Sequence, residues 1–224
     1  MHFTTFSRFT SNAFPRVALA ALAVLLAPTA ASAQITGLFN TGVDNTGALL
    51  TPGSADSHYQ VVENALAQAF VVSNCCWAPT STAQYIWQTA QGTPGSVTRT
   101  FRTTFTLDAG FNPLTAVITG RWSTDNQGQN IRLNGVASGM TSAGFSSFTN
   151  FTLTTGFVAG LNTIEFVVAD FGQPASLAVE QLRGTANPTN TPPGTTVPEP
   201  STVVLMAAGL FGVAVVGARR KRSA

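Results

Sequence analysis

Arg99-Thr100-Phe101-Arg102-Thr103-Thr104-Phe105-Thr106-Leu107 alternates, with Phe101, Phe105 and Leu107 on one face at period two. A strand with one apolar face needs a sheet around it, and the flanking sequence supplies candidates on both sides. Leu114 to Trp122 reads as a second strand, with Ala116, Ile118 and Gly120 opposite Thr115, Val117 and Thr119. Ile131-Arg132-Leu133 alternates into Asn134-Gly135, a type I′ hairpin signal, because both central residues of that turn need positive φ. Phe148 to Thr154 sets Thr149, Phe151 and Leu153 against Phe148, Asn150 and Thr152. Thr163 to Val168 and Leu177 to Glu180 complete the series. Short strands with turn residues between them, and no long helical period, predict an all-β antiparallel sandwich or barrel. Val61 to Val72 is the exception, where Glu63-Asn64-Ala65-Leu66-Ala67-Gln68 predicts a short helix.

Composition agrees with an exported domain. Of the 224 residues 44% are hydrophobic and only 9% charged, against about a quarter charged in ordinary soluble domains. The whole chain carries a net charge of +2, but the basic residues concentrate at its ends. Between Gln34 and Thr196 five arginines face eight carboxylates, a net charge of −3 with no lysine. No basic patch exists to hold phosphates, which excludes nucleic acid as a partner.

Ile118-Thr119-Gly120-Arg121-Trp122, then Asp125-Asn126, then Ile131 to Gly135 and Gly160 to Val168 follow one another in an order that resembles galactose-binding-like jelly-roll modules. The resemblance spans about Phe101 to Glu180. It implies a jelly-roll sandwich, often binding carbohydrate through loops at one end and sometimes holding a structural Ca²⁺. Sugar recognition needs aromatic faces for stacking, with amides, carboxylates and guanidinium groups for hydroxyls. Trp122, Asp125, Asn126, Gln127, Gln129, Asn130 and Arg132 offer that set on one strand-loop-strand unit. The plainer reading makes Trp122 a core aromatic, Asp125-Asn126 a turn, and Arg132 a solvent-facing residue between Ile131 and Leu133. Trp77, Tyr85 and Trp87 form either a second platform or more core, and Asp108 and Asp170, each following a strand, are candidates for Ca²⁺.

Catalysis is not expected. Eight scattered acids show no paired-carboxylate motif. The mature region has one histidine, His58, and no Gly-x-Ser-x-Gly elbow. Cys75 and Cys76 are the only cysteines and adjacent, so they form either a strained vicinal disulfide or two separate thiols.

Both ends read as addresses. Arg8 and Arg16 precede an apolar run from Val17 to Leu26, and Ala31-Ser32-Ala33 supplies the small-x-small cleavage pattern, so residues 1–33 read as a signal peptide. At the other end Val197-Pro198-Glu199-Pro200 precedes an uncharged run from Thr202 to Ala218, closed by Arg219-Arg220-Lys221-Arg222. At ~1.5 Å per residue that run makes roughly 25 Å of helix, short of a ~30 Å hydrocarbon core unless arginines snorkel and the bilayer thins. The basic cluster would hold its end in the cytoplasm.

These three ordered elements resemble a PEP-CTERM sorting signal. The resemblance implies a Gram-negative surface protein, held first in the inner membrane, processed by exosortase, and then at the cell surface or extracellular. The expected organisation is a signal peptide (1–33), a β-sandwich (34–184), a Thr/Pro-rich linker (185–196) and the sorting signal (197–224). The sandwich is expected to bind exopolysaccharide without catalysis; the alternative is a self-associating coat or biofilm component with no specific ligand.

Overall fold

The computed structural model describes residues 32–189. Ala31, the signal helix, the Val197–Pro200 motif, the C-terminal span and Arg219–Arg222 lie outside the described residues.

Among the described residues eleven strands form the fold: β1 (Ala33–Ile35), β2 (Ala55–Val61), β3 (Ala67–Val71), β4 (Ile86–Trp87), β5 (Thr98–Leu107), β6 (Val117–Asp125), β7 (Gln127–Leu133), β8 (Val136–Ala137), β9 (Thr149–Leu153), β10 (Gly160–Ala169) and β11 (Ser176–Ala186). Every pairing is antiparallel, and the ladder runs β8-β7-β10-β5-β2-β3-β4-β11-β6-β9, with β1 beside β11. This continuous ladder folds back on itself. β7, β10 and β5 make one layer, β11, β6 and β9 the other, and β2, β3 and β4 carry the sheet around one side. The result is the expected all-β sandwich.

Alternation places the core between the layers. Phe101, Phe105 and Leu107 of β5 are buried, as are Phe166 of β10, Trp122 of β6 and Phe151 of β9. The Phe166 ring stands 5.7 Å from Trp122 and 5.8 Å from Phe151, tying the two layers together. Tilted and edge-on aromatic pairs of this kind stabilise a core beyond their buried area. Trp77, Tyr85 and Trp87 are all buried as well, so the long segment before β5 contributes core and not a surface platform. Cys75 is bonded to Cys76 just ahead of buried Trp77.

Asn134 and Gly135, at φ 50° and 80°, make the turn between β7 and β8. Those angles are the reason for the Asn-Gly dipeptide there. Two expectations need correction. The helix expected over Glu63–Gln68 is absent: a single 3₁₀ turn (Val62–Asn64) is followed by Ala65 and Leu66 in left-handed conformation, and Ala67 already starts β3. Pairing of β2 with β3 overrides a helix-forming composition. The polar loop expected after Trp122 is also short, because β6 extends to Asp125 and β7 begins at Gln127. At the domain's end β11 continues past the expected boundary at residue 184 to Ala186, and Thr189 still donates its amide to the Gly110 carbonyl.

Candidate functional site

The strand-loop-strand unit around Trp122 does not assemble into a binding surface. Trp122 is 0% exposed and lies across the ladder from Val179 and Thr149. No face of its indole can reach a sugar. Asp125, buried at the end of β6, accepts a 2.8 Å hydrogen bond from the Trp77 indole. Asn126 accepts one from the Phe171 amide at 2.7 Å. Both side chains are thus committed to fastening loops. Asp170 stands in the same corner, its Oδ2 accepting from the amides of Ser96 and Gly172. Burial pushes both carboxyls above the ordinary aspartate range, and the Asp170 charge adds to the effect at Asp125.

Asp108 and Asp170 cannot share an ion. Asp108 follows the last residue of β5, whereas Asp170 binds the residues just before its first. A strand of ten residues at ~3.3 Å per residue separates them by about 30 Å. Among the described residues no three metal-ligating side chains gather together.

A different site is built from distant parts of the chain. β2 pairs with β5 only at Gln60 and Val61, opposite Arg102 and Phe101. Earlier in β2 the two strands part, and the segment Thr36–Phe39 forms the far wall. The resulting groove has a volume of about 400 Å³ and is lined by His58, Gln60, Arg102, Thr104, Thr106 and Leu161, among others. That volume falls in the range of small-molecule sites, ~300–1,000 Å³.

Each wall is fixed by a specific contact. The Phe39 and His58 rings stack with centroids 3.7 Å apart and planes 7° from parallel. The Tyr59 hydroxyl donates to the Phe39 carbonyl at 2.9 Å, pinning the N-terminal segment to β2. Asp56, fully buried, accepts from the His58 amide at 2.8 Å and the Gly42 amide at 2.7 Å. Burial raises its carboxyl above the usual range, and these two bonds pull the other way. The buried Nε2 of His58 has no hydrogen-bond partner among the described residues.

Arg102 donates from Nε and Nη2 to one oxygen of Glu165, at 3.0 and 2.7 Å. Glu165 in turn lies across the ladder from Arg132. Gln60, Arg102, Glu165 and Arg132 therefore form a row across β2, β5, β10 and β7. Arg132 is on an outer face, half-buried beyond the groove's end. The groove presents a guanidinium, an amide, hydroxyls and an imidazole, with Leu161, 66% exposed, at its lip. Such a set recognises a neutral, hydroxyl-rich ligand better than a multiply charged one. Of its residues the sequence singles out only His58; the others come together through the fold.

Residues 196–222 match the PEP-CTERM protein-sorting motif. The chain carries a PEP-CTERM sorting signal. That signal marks an exported protein of Gram-negative bacteria that is processed by exosortase. No curated protein matches the chain in sequence. Among solved structures it is similar to a CBM35 from Paenibacillus barcinonensis, at 14% identity and a TM-score of 0.33, over 56% of this chain and 92% of that one. It is similar also to the CBM36-1 domain of a multidomain xylanase from the hindgut metagenome of Trinervitermes trinervoides, at 17% identity and 0.30, over 59% and 98%. A third likeness is to the Podospora anserina GH26-CBM35 β-(1,4)-mannanase, at 16% identity and 0.30, over 73% of this chain and 28% of that one. These are partial likenesses of fold.

Proposed function

We propose that the sandwich of this PEP-CTERM protein is a non-catalytic carbohydrate-binding domain that holds extracellular polysaccharide in the β2–β5 groove. The groove's lining carries the proposal: hydrogen-bonding groups of both senses surround a stacked Phe39–His58 pair. The Arg102 guanidinium, oriented by Glu165, supplies a fixed donor fork. In this reading Trp122, Asp125 and Asn126 support the fold and touch no ligand. The uncharged run from Thr202 to Ala218 holds the precursor in the inner membrane until exosortase acts near Val197–Pro200, and signal cleavage follows Ala33.

Affinity electrophoresis of the exported protein through gels containing the producing strain's exopolysaccharide tests the groove. Retardation is expected for the native protein and is lost on Arg102→Ala or His58→Ala, while Trp122→Phe leaves it unchanged. Equal retardation of all four proteins would remove the groove from the argument. Intact-mass measurement of the exported form tests the two processing steps, and recovery of the uncut polypeptide from the cytosol would refute them.

A further inference from the structure

We propose that β9 is a self-association edge, at which two copies of the chain pair β9 to β9 antiparallel across a two-fold axis beside Phe151. The ladder has two free ends, and they differ. β8 is only two residues long, a length that limits what can pair with it. β9 is five residues long and pairs with β6 in unbroken register from Ile118↔Leu153 to Trp122↔Thr149. Register shifts interrupt the β10–β7, β11–β6 and β2–β3 pairs but not this one. In an antiparallel strand alternate residues direct their amide and carbonyl away from the neighbour. Among the described residues, no main-chain bond reaches Thr149–Leu153 apart from the pairing with β6.

Natural sheets blunt such edges with charge, proline or a bulge. β9 has none of these. From Leu133 to Ile164 the sequence contains no charged residue and no proline, so a second copy meets neither repulsion nor a missing donor. The strand is also anchored to β6, because the Phe151 ring lies against Gly120, where a Cβ would come within 2.7 Å of it. A second copy fits this edge because the strand is self-complementary. About an axis at Phe151, Thr149 faces Leu153 of the other copy, and Phe151 faces Phe151, continuing the inner face. On the outer face exposed Asn150 lies opposite exposed Thr152. Beside the edge, Leu133, Val136, Met140 and Leu153 line a small trough of about 180 Å³ that an added strand would roof. Main-chain hydrogen bonds supply the affinity in this mode of pairing, and side chains set the register.

Light scattering behind size exclusion, on the glycan-free exported protein over a range of concentrations, reads the association directly. The native protein should pass from monomer to dimer mass. Asn150→Lys combined with Thr152→Lys sets lysine against lysine twice across the axis and should weaken dimerisation about tenfold or more. The corresponding Glu/Glu variant should behave alike. Mixing the two should restore dimers of mixed composition, which also shows that both variants are folded. A native protein monomeric throughout would overturn the proposal. So would dimers indifferent to the lysines, or variants that fail to pair when mixed.

Discussion

The two outer regions of this sandwich are built to opposite rules. Across β2, β5, β10 and β7 runs a row of Gln60, Arg102, Glu165 and Arg132, beside a groove where two strands have parted. Across the layer interface, β9 and its flanks carry no charge at all and keep perfect register with β6. The first region offers side chains to a ligand, beside the main-chain groups of β5 that no longer pair with β2. The second offers main chain and keeps its side chains plain. Polar residues alone do not set the two apart; what decides each region's partner is which group, backbone or side chain, is left unpaired.

The strongest way to break the contrast is Phe151→Ala. It empties a core site behind β9 and should lower stability by about 3–5 kcal/mol in urea denaturation, while abolishing dimers because the edge loses its support. Exopolysaccharide retardation should survive wherever the protein remains folded. Next in size is Glu165→Ala, which leaves Arg102 and Arg132 facing each other without the carboxylate between them. Because Arg102 is partly solvated, the stability loss should be about 1–2 kcal/mol, accompanied by weaker retardation and unchanged dimerisation.

Acidity sharpens the comparison further. Asp56, Asp125 and Asp170 all have carboxyls raised above 3.8 in the fold, chiefly by burial. The folded chain thus binds more protons than the unfolded one just above that value, so stability rises as pH falls toward it and is lost as pH climbs through the raised values. The urea midpoint should therefore increase from pH 7 to 4.5, and Asp56→Asn should flatten the rise. Half-buried Asp44, lowered chiefly by its hydrogen bond from the Thr46 side chain, works in the opposite sense only at lower pH. The dimer should change little over the same interval, since β9 carries no ionisable residue and Arg121, opposite Asn150, is ion-paired with Glu180. The smallest effect is expected at β8, where Val136→Thr on a side chain 63% exposed should shift stability by less than about 0.5 kcal/mol.

Strands with one buried face were legible in the sequence because alternation reports burial directly. β5 and β10 pair along their full lengths, with Phe101 opposite Phe166, and the Asn134-Gly135 turn followed from its backbone angles. β2 and β3 were not legible, since Glu63 to Gln68 favours helix locally and only the neighbouring strands reverse that preference. The candidate site was hidden for a different reason. Thr36, His58, Arg102 and Leu161 share no motif and no spacing; a groove made by two strands parting has no local signature. Trp122 shows the converse, an aromatic next to polar residues in sequence whose β-strand parity points it inward.

Gln34 and Thr185 stand opposite each other where β1 meets β11. β11, the longest strand, has β1 and β4 on one flank and β6 on the other. A load arriving from beyond Thr189 first meets the bonds of Asn187 and Thr189 to Asn112 and Gly110 and then passes along this strand. Directed along its axis, tension in β11 is borne by both flanking ladders together in shear. A domain joined through an interior strand in this way is suited to resist flow and drag at a surface.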